Sequence, residues 1–164
     1  MKKTRRFVAL LLAAVLALAL FTACGAAELT IGEKYEKWFV EQLNSKLPEG
    51  KKVQKVNRPD MRAALEKIGE DGKFTAKEGY YKEPNGTKKD SHYWLILTDP
   101  RAWEYGVSEA KAVALTPENL TKYGPVYYIK EEHLSRIKEY DIATRVMDGK
   151  TYVAVYLCLE KRPS

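Results

Sequence analysis

The stretch IATRVMDGKTYVAVYLCLE, residues 142–160, decides the fold. Two runs in which apolar and polar residues alternate flank the dipeptide Asp148-Gly149. Alternation with a period of two is typical of β-strands, and Asp-Gly between two such runs is a strong signal for a two-residue type I′ turn. The stretch therefore predicts a β-hairpin in which Arg145 lies opposite Tyr152.

The two faces of this hairpin differ in polarity. Because successive strand residues point to opposite sides of a sheet, residues 142–147 and 150–160 divide into an apolar face and an amphipathic face. The apolar face, which we expect to pack on the core, consists of Ile142, Val146, Val153, Val155, Leu157 and Leu159. The amphipathic face consists of Arg145, Tyr152, Ala154, Tyr156 and Cys158. A ligand cleft is expected on the amphipathic face if no helix covers it.

Upstream of the hairpin, the sequence predicts two main helices and several strands. Thr30 and Glu33 form a capping box for a helix over 31–47, and apolar residues at helical spacing predict a second helix over 59–68. The further predicted elements are strands over 74–81, 91–98, 109–115 and 127–129, helical turns over 99–106 and 116–125, and a brief helix over 130–138. Together they predict an α+β fold: a single domain with an antiparallel sheet of about five to six strands packed against two main helices.

The N-terminus carries a different signal. Four basic residues among the first six precede an unbroken apolar run over 7–21, and small residues follow up to Cys24. This order is typical of an export signal. A transmembrane helix needs about 20 apolar residues to cross a bilayer, so this run is short for a span. A buried core helix fits less well, because the run is apolar on every side and directly follows a basic terminus.

The end of this segment, FTAC at 21–24 followed by Gly25, resembles the lipobox of bacterial lipoproteins. The resemblance implies that residues 1–23 are a signal peptide that is removed, and that Cys24 receives a diacylglycerol and its new N-terminus a further acyl chain such as palmitate. Two or three acyl chains anchor a protein stably, whereas one binds a bilayer only marginally. The implied protein is held at the extracytoplasmic face of a cell membrane by a tether over 24–29, with its domain over 30–164. A plain secreted protein is the alternative.

Removal of the signal peptide changes what the net charge indicates. The chain holds 28 Lys and Arg against 22 Asp and Glu, a formal net charge of +6. Four of these cations and no acid lie within 1–23, so the remainder carries only +2. A strongly basic chain would indicate an anionic partner such as nucleic acid. Since most of the excess is discarded, we expect no nucleic-acid partner.

One stretch of the predicted domain is locally basic. It contains Lys46, Lys51, Lys52, Lys55, Arg58 and Arg62. We interpret it as a solvated strand and loop. Contact with anionic lipid head groups, at about 1 kcal/mol for each cation at the surface, is the alternative.

No catalytic motif stands out in the predicted domain. Asp90-Ser91-His92 contains the residue types of a catalytic triad, but triads assemble in space from separate elements. His133 has no second histidine four residues on, so it does not form a helical zinc-binding pair. Cys158, which lies in an apolar strand, is interpreted as a buried apolar residue without a disulfide partner. We therefore expect no metal and no cofactor.

Tyrosine is the remaining compositional feature, with eleven residues, none of them within 1–23. Tyrosine is favoured at recognition surfaces because its ring is apolar and its hydroxyl is polar. Tyr80, Tyr152 and Tyr156 are the predicted members of an exposed platform for a glycan or peptide of the cell envelope. The function that we expect is a non-catalytic binding or interaction module, and a small cell-envelope hydrolase is the alternative.

Overall fold

The structure is a computed structural model that describes residues 28–82, 90–99, 107–125 and 129–161. The chain divides into two compact units, 1–30 and 31–164, and every element named below belongs to the second. Cys24 and the predicted lipobox lie outside the described residues, as do residues 100–106 of the predicted helical turn and residues 127–128 of the strand predicted over 127–129.

Three helices and seven strands are present within the described ranges. The helices are α1 (Ile31–Ser45), α2 (Pro59–Leu65) and α3 (Glu131–Leu134). The strands are β1 (Gln54–Lys55), β2 (Lys73–Thr75), β3 (Tyr80–Lys82), β4 (Ser91–Ile96), β5 (Glu109–Lys111), β6 (Ile137–Met147) and β7 (Lys150–Leu159). No helix in these ranges is long and apolar enough to cross a membrane.

The predicted hairpin is confirmed as β6 and β7, with Arg145 opposite Tyr152. Asp148 and Gly149 have φ values of 49° and 70°, the left-handed conformation that both central residues of a type I′ turn require. Strand β6 begins at Ile137, before the predicted start at residue 142, and a register shift lies between residues 137 and 139.

The strands form a five-stranded sheet in the order β1-β6-β7-β4-β3 and a separate two-stranded sheet of β2 and β5. This arrangement confirms the α+β class and a sheet of about five strands. The prediction of a wholly antiparallel sheet is wrong at one edge, where β1 runs parallel to β6. The alternation in a sequence indicates a strand but carries no information on the direction in which a distant strand joins it.

Each face of the five-stranded sheet packs against a helix. On the α1 face, Tyr35, Phe39 and Leu43 of α1 are fully buried against alternate residues of β4, β6 and β7. On the α2 face, Met61 and Leu65 of α2 are buried against the other residues of the same strands. Because both faces are covered, β7 is buried throughout residues 151–159.

Polar side chains fasten α2 to the sheet. Asp141 on β6 is fully buried, and its carboxylate accepts hydrogen bonds from the Arg62 guanidinium and, at 2.7 Å, from the backbone N–H of Arg58. Beyond the last turn of α2, Arg145 Nη1 donates to the carbonyl oxygens of Leu65 and Ile68 at 2.9 and 2.8 Å. A cation at a helix C-terminus satisfies carbonyl groups that have no partner within the helix.

Several predicted boundaries are wrong. The strand predicted over 74–81 is divided into β2 and β3 by a turn, in which a Cβ on Gly79 would lie 1.8 Å from the Phe74 ring. The brief helix predicted over 130–138 ends at Leu134 because β6 starts soon after it. Val146, predicted to lie in the core, is 68% exposed, since it stands at the tip of the hairpin.

Candidate functional site

The exposed tyrosine platform predicted from the sequence is not formed by two of its three members. Tyr152 and Tyr156 are 4% and 1% exposed, because α2 covers the amphipathic face of the hairpin. Tyr80 on β3 is 36% exposed and its side chain belongs to the other face of the sheet, opposite Leu95. The structure therefore separates Tyr80 from Tyr152 and Tyr156, and of the three only Tyr80 is accessible to a ligand.

Tyr80 lines a cavity of about 240 Å³ on the α1 face, between the start of β4 and α3. We name it the basic cavity. Its apolar walls come from Ile129 and Leu159, and its hydroxyl groups come from Tyr80, Ser91 and Tyr93. Burial raises the pKa of Tyr80, and burial together with the neighbouring Tyr80 raises the pKa of Tyr93 well above its usual range. Both phenols are therefore neutral at physiological pH and are able to donate hydrogen bonds.

Basic side chains predominate among the polar residues that line the basic cavity. Lys82, Lys130, His133 and Arg136 all line it, and no carboxylate does so in the part of the chain that the structure describes. The carboxylate of Glu132, which does not line the cavity, lies 3.4 Å from His133 Nε2. Among the described residues, the arrangement places an excess of positive charge around a small, partly enclosed volume, which favours an anion.

Two lining residues also carry buried polar atoms that lack a hydrogen-bond partner. Within the described ranges these are the Tyr93 hydroxyl and the Arg136 Nε–H, and Tyr93 as a whole is 8% exposed. An unsatisfied buried donor costs about 1–3 kcal/mol. Proteins rarely retain such groups unless water, an ion or a ligand supplies the missing acceptor. The Arg136 Nε–H can only donate and the Tyr93 hydroxyl can donate or accept, so an acceptor such as an anion is able to satisfy both.

The basic stretch of the sequence contrasts with this cavity. Within the described ranges five of its six cations form ion pairs: Lys46 with Glu131, Lys51 with Glu160, Lys55 with Glu36, Arg58 with Asp60, and Arg62 with Asp141. Three members of the basic cavity, Lys82, Lys130 and Arg136, form no ion pair with any described residue. These ion pairs leave little of the charge of the stretch available for the alternative of contact with lipid head groups.

The residues with potential catalytic chemistry do not form a triad. Ser91 and His92 are consecutive on β4, so their side chains belong to opposite faces of the sheet. On the α2 face, His92 Nε2 lies 3.7 Å from the Cys158 sulfur. Cys158 is fully buried, as predicted, and burial raises the pKa of its thiol to about 11. A buried thiol that stays protonated at neutral pH is a poor nucleophile.

The sequence reasoning missed the basic cavity because no local pattern marks it. Its cations come from β3, from α3 and the residue before it, and from the turn before β6. Comparisons with known proteins add no information on its ligand: no family model, curated protein or solved structure matches the chain.

Proposed function

We propose that this chain is a lipoprotein anchored at the extracytoplasmic face of a cell membrane, and that its domain binds a small anionic group in the basic cavity. The anchor is supported by the export signal and by the resemblance of residues 21–24 to a lipobox. The binding function is supported by one observation above all. Lys82, Lys130 and Arg136 line the same small cavity, and none of them forms an ion pair with a carboxylate of the described residues.

The size of the cavity narrows the class of ligand. A volume of about 240 Å³ corresponds to about eight water molecules in the liquid, and it lies below the ~300–1,000 Å³ that is typical of sites for larger organic ligands. It fits a group the size of one sugar ring or one amino acid. We therefore infer that the ligand is a carboxylate or phosphate group on an envelope glycan or at the end of an envelope peptide.

Binding is tested by matched pairs of small probes that differ in one charge. Glucuronate is compared with glucose, and N-acetylalanine with N-acetylalaninamide, each titrated calorimetrically into the purified chain. We expect the anion of at least one pair to bind with a dissociation constant in the micromolar to millimolar range, about −8 to −4 kcal/mol, and its neutral partner not to bind. The glucuronate arm identifies a glycan and the N-acetylalanine arm a peptide terminus.

The location of binding is tested by substituting cations of the cavity. The double variant Lys82→Met, Lys130→Met should lose the affinity for the anion that the unaltered chain binds. A matched control is Lys73→Met, because Lys73 is paired with Glu109 on the two-stranded sheet and does not line the cavity. Equal binding of the charged and neutral probes, or full affinity in the double variant, would overturn the proposal.

The anchor is tested separately. Cells that produce the chain are labelled with radioactive palmitate, and the Cys24→Ala variant is expected to lose the label. Cys158→Ala is the matched control, since it removes the other cysteine of the chain and should leave the label in place. Label that persists in Cys24→Ala would show that the lipid is not attached there.

The alternative of a small hydrolase has no specific observation in its favour. Its best candidate for a nucleophile and base is the pair of Cys158 and His92 described above, and the burial of the sulfur disfavours the thiolate.

A further inference from the structure

A second group of polar side chains lies on the α2 face, where β4 begins and β7 ends. It consists of Asp90, His92 and Cys158, whose ligand-type atoms all lie within 4.8 Å of one another. We propose that these three residues bind one Zn²⁺ ion. The inference does not rest on the function proposed for the basic cavity, because His92 and Cys158 are cross-strand partners on the α2 face, although His92 also contributes to the wall of that cavity.

The spacing of the sulfur and the imidazole fits a tetrahedral metal ion. Zn–S and Zn–N bonds of about 2.3 and 2.0–2.1 Å at a tetrahedral angle place the two ligand atoms about 3.6 Å apart. The Cys158 sulfur and His92 Nε2 are 3.7 Å apart. The two residues are direct cross-strand partners of β4 and β7, so the backbone of the central sheet fixes this distance before a metal arrives.

The orientation of His92 is also that of a metal ligand. Its Nδ1 lies 2.7 Å from the hydroxyl oxygen of Tyr156. When Nδ1–H donates to this hydroxyl, Nε2 presents its lone pair, and metal-binding histidines almost always donate their other ring N–H to such a partner. Tyr156 is itself held firmly, since it is 1% exposed and the Arg58 guanidinium lies 4.5 Å from its ring centre.

The donor set selects the type of metal. A thiolate, an imidazole and a carboxylate together favour Zn²⁺ over hard cations such as Mg²⁺ and Ca²⁺, which prefer oxygen ligands. Metal binding releases the thiol proton, so the anionic sulfur and the Asp90 carboxylate balance the two charges of the ion. The fourth position of the tetrahedron is left to water or to a further ligand.

Lys138 would compete with the metal ion for the Asp90 carboxylate. Its ammonium group forms an ion pair with the Asp90 carboxylate, and it lies at the register shift in β6, one residue before the strand partner of Cys158. A bound Zn²⁺ would take this carboxylate from Lys138. Removal of the cation by Lys138→Met should therefore strengthen metal binding, by roughly tenfold for one like charge near a divalent ion.

Cobalt is the probe for this site, because Co²⁺ occupies tetrahedral zinc sites and reports its ligands by absorption. The purified chain in the Cys24→Ala background, in which Cys158 is the only thiol, is treated with EDTA, dialysed and titrated with Co²⁺. We expect one equivalent to produce visible bands of a tetrahedral ion and a thiolate charge-transfer band in the near ultraviolet. Added Zn²⁺ should abolish both sets of bands.

Variants assign the ligands. Cys158→Ser should remove the charge-transfer band, and Asp90→Asn and His92→Gln should each weaken the affinity at least tenfold. Asp148→Asn and His133→Gln are the matched controls and should bind as the unaltered chain does, since neither residue belongs to the cluster. Circular dichroism confirms that each variant is folded. Absence of tetrahedral cobalt bands, or a charge-transfer band that persists in folded Cys158→Ser, would overturn the proposal.

Discussion

Two groups of basic side chains, on opposite faces of the five-stranded sheet, differ in how their charge is balanced. On the α2 face, Arg58 and Arg62 lie beside Asp60 and the fully buried Asp141. In the basic cavity on the α1 face, lysines and an arginine surround a volume that no described carboxylate lines. The first group fastens a helix to the sheet. In the second, Arg136 donates to the backbone carbonyl of Glu160, but neither it nor the two lysines form an ion pair with a described carboxylate, which is typical of a binding site for an anion.

The largest effect is expected from removing the buried acid of the α2 face. Asp141→Asn leaves the Arg62 guanidinium without its charged partner and weakens the contact with the Arg58 N–H. Because the Arg62 side chain is 42% exposed, water takes over part of its contact, and what is lost is mainly the hydrogen bonding to a charged acceptor; the free energy of unfolding in urea should therefore fall by about 2 kcal/mol. Asp148→Asn, at the exposed hairpin turn, is the control. A loss below about 0.5 kcal/mol would mean that the α2 face does not depend on this pair.

A smaller effect of opposite sign is expected in the basic cavity. The double variant Lys82→Met, Lys130→Met removes like charges that no described acid offsets, so the unfolding free energy should rise by about 0.5–1 kcal/mol. Lys55→Met, which breaks the ion pair with Glu36, should lower it by a few tenths of a kcal/mol. If both variants lowered the stability equally, the two groups of cations would not differ in the way described here.

The smallest effect concerns pH. The hydrogen bond from Arg58 holds the pKa of Asp60 below its usual value. A carboxylate with a lowered folded pKa stabilises the fold above its unfolded pKa of about 3.9, and this contribution is lost as the pH falls through the folded value. Its size should be below about 1 kcal/mol because the side chain is 45% exposed. Asp60→Asn should therefore make the unfolding free energy depend less on pH below about pH 4. If this dependence were unchanged, other carboxyl groups would account for it.

The hairpin shows which parts of the fold the sequence can predict. Its strands, its turn and the pairing of Arg145 with Tyr152 follow from alternation and from two turn residues, all within one short stretch. The exposure of Tyr152 and Tyr156 could not be predicted in the same way. It depends on α2, which precedes them by more than 80 residues and covers their face of the sheet.

The two candidate sites also depend on contacts between residues that are far apart in the sequence. The His92–Cys158 pair is formed by the pairing of β4 with β7, and the sequence contains no turn signal that would set this register. The basic cavity combines Lys82, Tyr93 and Arg136 from separate elements. No spacing along the chain brings these three together, and the run of cations that does stand out in the sequence is largely neutralised by carboxylates of other elements.

The central claim, that the basic cavity holds an anion, is tested most directly by the Arg136 Nε–H resonance in a ¹H–¹⁵N nuclear magnetic resonance spectrum. This buried donor has no acceptor among the described residues. Titration with the anion that binds, glucuronate or N-acetylalanine, should shift its proton downfield as it gains an acceptor, together with the backbone amides of residues 129–136 and 91–93. Binding that leaves this resonance and these amides unchanged would contradict the account.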